Sequence, residues 1–195
     1  MAVAAPSPRV LADVLPRSIP RDVLLVVGGA AFVGIAAQII IPLPFTPVPI
    51  TGQTFALLLS AAALGTLRGV LSMLLYGLVG MAGLPWFAGG VSGGFALVTF
   101  GYVIGFVVAA GVVGYLAERG WTRSVVRMAG AMVIGNVTIY IFGAIYLHFA
   151  LHSTSWATTM GLGVTPFLLG DALKIVIAAG LFPLVWRQIK TEPDK

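Results

Sequence analysis

Cysteine is absent from this 195-residue sequence, and charged residues are scarce. Without cysteine the chain has no disulfide, no thiolate ligand for a metal and no thiol nucleophile. Only 9% of the residues are charged and 59% are hydrophobic, whereas a soluble domain carries about 25% charged residues. A water-soluble fold could not bury this much apolar surface. The composition therefore predicts an all-α integral membrane protein with a single membrane domain.

Six apolar stretches are candidates for membrane-spanning helices, since spans of roughly 17–25 apolar residues can cross the hydrocarbon. They cover residues 22–41, 53–66, 67–83, 95–117, 124–150 and 163–187. The second and third are short and are separated only by the turn at Gly65–Gly69. We expect residues 1–21 and 188–195 to be terminal tails flanking a membrane domain at 22–187. The first apolar stretch is too long for the core of a cleaved signal peptide.

Lysine and arginine are distributed very unevenly among the connections. In a six-span arrangement, ten of the eleven fall on one side of the membrane. They are Arg9, Arg17, Arg21, Arg68, Arg119, Arg123, Arg127, Arg187, Lys190 and Lys195. The opposite loops, 42–52, 84–94 and 151–162, contain none. Because positive charge marks the cytoplasmic side, both termini are predicted to be cytoplasmic, in a multi-pass protein of a cell membrane. The net charge of +5 follows from this topology and does not indicate nucleic-acid binding.

The eleventh positive residue, Lys174, lies inside the sixth span, with Asp171 three residues before it. Residues three apart share one face of a helix, so the two side chains can pair or point into a common cavity. Each charge costs about 2.5–3.5 kcal/mol at mid-membrane on insertion scales. One interpretation is an ion pair that only holds helices together. The other, which we favour, is a binding site, because intramembrane charges usually face an interior or a water-filled path.

Other polar residues are predicted at a similar depth, in the outer half of the membrane. Counting about 1.5 Å per residue along each helix brings Asn136, Tyr102, Thr99, Gln53 and Thr54 towards the level of Lys174. Two outer loops could cover such a pocket. The first, Pro42–Gly52, contains Pro44, Thr46 and Pro47, and its prolines pre-extend the chain. The second contains Trp86 and Phe87 before a glycine-rich segment. An amide, carboxylate, ammonium and aromatic set suits a small solute with a carboxylate and further hydrogen-bonding groups.

At these motifs the sequence resembles the BioY family, the substrate-binding S components of energy-coupling factor (ECF) biotin transporters. The resemblance rests on Ile41–Thr54 (IPLPFTPVPITGQT), Gly83–Gly90 (GLPWFAGG), Gly101–Phe106 (GYVIGF) and Phe167–Lys174 (FLLGDALK). It covers roughly residues 22–187. The family pattern is broken at Leu97–Phe100 and at Leu169. The resemblance implies a six-helix bacterial plasma-membrane protein with a biotin pocket open to the outside.

The resemblance also implies roles for individual residues. Lys174 would bind the valerate carboxylate of biotin through a charge-assisted bond, and Asp171 would bind other polar groups or position Lys174. Ala30 and Gly34 match a small-residue patch through which the family's first helix docks on a transmembrane coupling protein. Two ABC ATPases complete that ECF module. The chain itself has no phosphate-binding G-x-x-x-x-G-K-[ST] run, so ATP would be used only by the partner subunits.

Two alternatives come from the residues themselves. Ser92, in a Gly-x-Ser-Gly run, and His148 could form an intramembrane serine protease, provided that they come within hydrogen-bond reach. The chain could also be an S component or a solitary transporter for another small carboxylate vitamin. A purely structural membrane subunit would leave the intramembrane charges unexplained. We expect no enzyme activity, cofactor or metal site, since the two histidines and Asp171 have no ligand-like spacing.

Overall fold

The protein is an all-α bundle in a computed structural model, which describes residues 9–152 and 155–191. Within those residues there are seven α-helices. They are α1 (Ile19–Ala36), α2 (Gln53–Leu64), α3 (Thr66–Met81), α4 (Phe100–Glu118), α5 (Val125–Ala150), α6 (Trp156–Gly163) and α7 (Leu168–Thr191). Two short strands, β1 (Ile40–Ile41) and β2 (Ile50–Thr51), pair antiparallel between α1 and α2. Single 3-10 turns lie at Leu11–Val14, Trp121–Arg123 and Thr165–Phe167.

Four helical stretches of the described chain are long and apolar enough to cross a membrane. They are Ile19–Ala36, Phe100–Glu118, Val125–Ala150 and Trp156–Ile189, the last of which combines α6 and α7. The helices α2 and α3 are apolar but shorter, with 12 and 16 residues. The predicted class, a helical membrane protein, is therefore confirmed with four candidate spans.

Helix α4 lies at the centre of the bundle, packed against α2, α3 and α5. Its membrane-length window is 61% buried, whereas that of α1 is 28% buried. The outer faces of the other helices carry large apolar side chains, such as Leu24 (71% exposed), Val126 (80%) and Leu169 (85%). Soluble proteins rarely expose large contiguous apolar patches to water. These faces are the surface that a bilayer would cover.

The bundle has two ends with different chemistry. At the first, which we call the pocket end, α1, α3 and α5 finish and α2, α4 and α7 begin. At the second, the termini end, the Leu11–Val14 turn meets the connection between α2 and α3. Gly65 in that connection has φ +84°, and a Cβ there would lie 2.8 Å from Glu118 Oε1. The same oxygen accepts the Thr66 N–H at 2.7 Å and caps α3. The predicted break between the second and third spans is thus confirmed.

The predicted first and fourth spans extend too far at the pocket end. Helix α1 ends at Ala36 instead of 41, and Ile40 and Ile41 pair with Thr51 and Ile50 as β1. Ile41 precedes Pro42, and a residue before proline disfavours the helical region. Helix α4 begins at Phe100 instead of 95, after a series of turns that follows Gly94. Apolar composition alone did not distinguish these segments from helix.

The predicted outer loop 151–162 is also wrong in part, because most of it forms the helix α6. Eight residues are too few for a stable isolated helix, so α6 depends on its packing against α5. The sixth span, predicted from residue 163, begins as a 3-10 turn, and its α-helix starts at Leu168.

The predicted N-terminal tail is partly structured. Residues 1–8 lie outside the described residues, but Val10 is only 2% exposed and packs into the core. Helix α1 begins at Ile19, with Ser18 accepting the Arg21 N–H at its N-terminus. At the other end, α7 continues to Thr191, past the predicted boundary at 187, and residues 192–195 lie outside the described chain.

Candidate functional site

A cavity opens at the pocket end, between α2, α4, α5, α7 and the two outer loops. The volume that a water molecule can reach inside it is about 80 Å³, within a wider recess of about 700 Å³ that includes open solvent. Most of its wall is apolar or aromatic, with a few polar groups. The lining residues are Val48, Pro49, Thr51, Gln53, Thr54, Phe87, Ala88, Leu97, Thr99, Phe100, Tyr102, Val103, Phe106, Ile139, Tyr140, Phe167, Asp171 and Lys174.

The polar centre of this cavity is the ion pair predicted on α7. Lys174 Nζ lies 3.0 Å from Asp171 Oδ1, and it also donates to Thr54 Oγ1 at 2.8 Å and to the Thr51 carbonyl at 3.1 Å. An ammonium group has three protons to donate, so all three have acceptors. The side chain of Asp171 is 6% exposed and that of Lys174 is 19% exposed. The pair is therefore buried, neutral as a whole, and fully hydrogen-bonded at the lysine.

Asp171 is held by a second helix as well. The Tyr140 hydroxyl on α5 donates to Asp171 Oδ2, while Asp171 Oδ1 also receives the Thr54 hydroxyl at 3.5 Å. These bonds join α2, α5 and α7 around one carboxylate. Loss of that carboxylate would leave donors on all three helices without their acceptor.

Gln53 connects the cavity wall to α3. Its Nε2 donates to the Tyr76 hydroxyl at 2.6 Å, and its Oε1 accepts from Thr51 Oγ1 at 3.1 Å. Gln53 is 7% exposed and lines the cavity. These bonds leave Gln53 fixed in orientation at the cavity wall.

The first outer loop covers the cavity and is tied to α6. Val48 and Pro49 line the cavity, and Thr46 Oγ1 donates to the Leu162 carbonyl at 2.7 Å. Pro44 and Pro47, also predicted in the lid, are exposed and do not line it. The end of α6 receives a second bond, from the Tyr102 hydroxyl to the Gly163 carbonyl at 2.7 Å. Helix α6 is thus part of the cover, a role that the sequence did not indicate.

The two aromatic residues of the second outer loop have different surroundings. Phe87 lines the cavity. Trp86 does not; it packs 5.2 Å from the Tyr76 ring, and its Nε1 donates to the Tyr76 carbonyl at 3.0 Å. A Cβ on Gly34 would lie 2.8 Å from the Trp86 ring. Trp86 therefore connects α1 and α3 behind the site, and its predicted contact with a ligand has no support in this geometry.

Asn136 is the other predicted residue that does not line the cavity. It is 6% exposed and faces an adjoining groove between α5, α6 and α7, which is otherwise largely apolar. Tyr140 and Asp171 line both spaces, so they form the wall between them. The Asn136 Oδ1 atom has no hydrogen-bond partner among the described residues. The depth estimate for Asn136 was reasonable, but the rotation of α5 turns its side chain to the far side of this wall.

The predicted docking residues of α1 face inwards. Ala30 is 0% exposed and Gly34 is buried against Trp86. Small residues here allow close packing within the chain. The exposed face of α1 is formed by other residues, including Leu24, Gly28 and Phe32.

The positions that break the family pattern differ in importance. Leu97, Thr99 and Phe100 line the cavity, so the altered segment shapes it directly. Leu169 is 85% exposed on the outer face of α7.

The structure does not support the alternative of a serine protease built on Ser92 and His148. His148 stacks on Trp156 with ring centroids 4.0 Å apart, and its Nδ1 lies 2.9 Å from Thr159 Oγ1. The ring thus contacts α6, and its bonded hydroxyl belongs to Thr159, not Ser92.

Three polar residues of the site were absent from the predicted binding set. Thr54 had been noted only for its depth, and Thr51 supplies a carbonyl, which no side-chain pattern could indicate. Tyr140 could have been found, because it lies four residues after Asn136 and so shares its face of α5.

Comparison with known proteins gives the same family as the sequence motifs. The sequence model of the BioY family matches residues 9–191. The biotin transporter BioY of Rhizobium etli is 36% identical over 177 residues, covering 82% of this chain and 89% of that protein. The biotin transporter BioY of Thermotoga maritima is 38% identical over 154 residues, covering 78% and 88%.

A solved structure shares the fold. It is the crystal structure of the S-component for biotin from an ECF-type ABC transporter, with a TM-score of 0.74 and 22% sequence identity. The match covers 91% of this chain and 96% of that one. With the family model spanning nearly the whole chain, these relatives establish that this chain belongs to the BioY family.

Proposed function

We propose that this protein is the biotin-binding S component of an ECF-type vitamin importer. The observation that carries the proposal is the Asp171–Lys174 pair at the wall of a cavity that is lined mostly by apolar and aromatic residues. The aliphatic chain and the apolar part of the bicyclic ring system of biotin match the apolar residues of the cavity. The polar part of that ring system, the ureido ring, matches the Asp171–Lys174 pair. Relatives named as biotin transporters support this choice of ligand. They also support a role in transport, with no chemical reaction of its own.

The geometry favours one orientation of biotin. The charge of Lys174 is balanced by Asp171, whose Oδ1 lies 3.0 Å from Nζ. A ligand carboxylate at this point would stand beside the Asp171 carboxylate, and like charges repel strongly in a buried site. The neutral ureido ring has N–H donors for Asp171 and a carbonyl acceptor for Lys174. We therefore place the ureido ring at the pair, in contrast to the valerate contact expected from the sequence.

The other residues of the site have two proposed roles: some contact the ligand, and others hold the cover of the cavity in place. Thr99, Tyr102 and Gln53 supply hydrogen-bonding groups, and Phe87 packs against the apolar part of the ligand. Thr46 holds the first outer loop against α6, so the loop and α6 close the cavity together.

The membrane arrangement is proposed to be six spans with both termini in the cytoplasm. At about 1.5 Å per residue, the 12 residues of α2 and 16 of α3 cover about 18 and 24 Å of a hydrocarbon core about 30 Å thick. The 3-10 turn at Leu11–Val14 packs below α2 and supplements its length. The bacterial plasma membrane is the proposed location, and residues 22–187 are the proposed membrane domain. A reporter fused at Phe45 should read external and one at Thr122 cytoplasmic; the reverse pattern would overturn the orientation.

Uphill uptake requires partners. The chain has no nucleotide-binding run of its own, so a transmembrane coupling protein and two ABC ATPases would supply the energy, and no cofactor is needed for binding. Because Ala30 and Gly34 face inwards, contact through α1 would use its exposed face, including Leu24, Gly28 and Phe32.

Calorimetry of the purified protein in detergent tests the proposal. Biotin should bind and release heat, and desthiobiotin, which keeps the ureido ring, should also bind. Other carboxylate vitamins serve as the matched comparison. Tighter binding of one of them than of biotin would favour the alternative S component, and no binding of biotin at all would overturn the proposal.

A further inference from the structure

Asn136 is a buried polar residue that has no role in the proposed site. Its side chain is buried inside the helical bundle, at 6% exposure, yet Oδ1 has no hydrogen-bond partner among the described residues. A buried acceptor left unpaired costs about 1–3 kcal/mol, so it calls for a donor in some state of the protein. Among the described residues that line this groove, two side chains have a proton to donate, Tyr140 one helical turn from Asn136 and Trp156 on α6.

Tyr140 lies in the right place to become that donor. It follows Asn136 by four residues on α5, and residues at this spacing stack on one helix face. Side chains on a helix lean towards its N-terminus, which directs the Tyr140 ring back over Asn136. Both residues line the groove, together with Asp171. In the structure the Tyr140 hydroxyl donates to Asp171 Oδ2 instead.

A donor from a ligand would meet the Tyr140 hydroxyl at that same oxygen. Asp171 Oδ1 already receives Lys174 and Thr54, so Oδ2, with Tyr140 as its described donor, is the more accessible acceptor. Tyr140 lines the cavity as well as the groove, and its hydroxyl stands where a donor arriving from the cavity must approach. A displaced tyrosine hydroxyl in an apolar wall needs a new acceptor.

We propose that Tyr140 and Asn136 form a ligand-dependent switch: a bound N–H group takes Asp171 Oδ2, and the Tyr140 hydroxyl turns to Asn136 Oδ1. Asn136 is then a positioning residue that stabilises the occupied state from outside the cavity. The inference rests on the proposed function, because it needs a ligand donor at Asp171. It also explains why an amide lies at the depth of the site without lining it.

The test is a double-mutant cycle with Asn136→Leu and Tyr140→Phe. Leucine fills a similar volume without an unpaired acceptor, so the ligand-free protein should keep or raise its melting temperature. Biotin affinity should fall roughly three- to tenfold, the effect of losing one neutral hydrogen bond. In the Tyr140→Phe background, Asn136→Leu should change affinity less than about twofold, because the hydroxyl that needs Asn136 is already gone. Thr138→Val, at a half-buried position on the same helix that lines neither the cavity nor the groove, is the matched control and should change neither quantity.

The outcomes separate the possible explanations. If Asn136→Leu lowered melting temperature and affinity together, Asn136 would be structural, and the switch would be wrong. An equal loss of affinity in the Tyr140→Phe background would mean that Asn136 acts without Tyr140, which also overturns it. Failure of the wild-type protein to bind biotin would instead reject the proposed function, and the switch with it.

Discussion

The protein contains two charge clusters of similar chemistry at opposite ends of the bundle, one with Asp171 at 6% side-chain exposure and the other partly open, with Asp22 at 45%. At the pocket end, Lys174 and Asp171 are joined at 3.0 Å. At the termini end, Arg68 contacts Asp22 at 3.0 Å and Asp13 at 3.2 Å, and Arg21 lies 4.0 Å from Asp13. The first cluster borders a cavity, whereas the second joins the Leu11–Val14 turn, α1 and α3 to one another. The comparison shows that an ion pair indicates a binding site only when there is space beside it.

The largest effect is expected from Lys174→Ala. The mutation removes a charged donor from the cavity and leaves Asp171 without its counter-charge. A hydrogen bond to a charged group contributes about 1.5–3 kcal/mol, so biotin affinity should fall roughly ten- to a hundredfold. Lys174→Arg should recover only part of the loss, because the planar guanidinium is larger. Calorimetry in detergent measures both.

Biotin methyl ester shows which end of biotin meets the pair. With the ureido ring there, acid and ester should lose affinity by the same factor in Lys174→Ala. A much smaller loss for the ester would assign Lys174 to the carboxylate and reject the orientation proposed above. Unchanged affinity for both ligands would show that the pair, like the one at the other end, only holds helices together.

Arg68→Ala should lower stability and leave biotin affinity nearly unchanged, the opposite of what is expected for Lys174→Ala. It leaves Asp13 and Asp22 with Arg21 as their remaining described partner, so the protein should lose about 1–3 kcal/mol of stability. The melting temperature should drop by several degrees, roughly 2–8 °C, while biotin affinity stays within about twofold. Arg17→Ala, which removes a neighbouring arginine without a described ion pair, is the matched control. A large loss of affinity in Arg68→Ala without a change in melting temperature would contradict the contrast between the two ends.

A smaller effect is expected at the cover. Thr46→Val keeps the shape of the side chain but removes the bond to the Leu162 carbonyl across to α6, together with the bond from the Val48 N–H within the loop. Biotin should dissociate roughly three- to tenfold faster, since one neutral hydrogen bond contributes about 0.5–1.5 kcal/mol. Stopped-flow fluorescence measures the rate. An unchanged dissociation rate would mean that the first outer loop and α6 do not close together.

No effect is expected at Ser92, the residue of the protease alternative. Ser92→Ala should bind biotin as the wild type does, and a fluorophosphonate probe should label neither protein. Covalent labelling that disappears in the mutant would revive the alternative.

Several features of the site could be predicted from the sequence because they depend on local spacing. Asp171 and Lys174 share a helix face by virtue of their three-residue separation, and the first outer loop was identifiable from its prolines. The directions in which Asn136, Ala30 and Gly34 face could not be predicted, because each depends on the rotation of a helix about its own axis. Apolar surroundings exist on every side of a membrane helix, so the usual hydrophobic pattern does not report that rotation.

By itself, the amino-acid sequence determined that the chain is a helical membrane protein, that it carries one intramembrane ion pair and that it resembles the BioY family. These follow from composition and from residues close together along the chain. Only the tertiary structure decided that Tyr140, Thr54 and the Thr51 carbonyl surround that pair, and that α6 completes the cover. Those contacts join residues 31 to 123 positions apart. They depend on how whole helices pack, which no local pattern encodes.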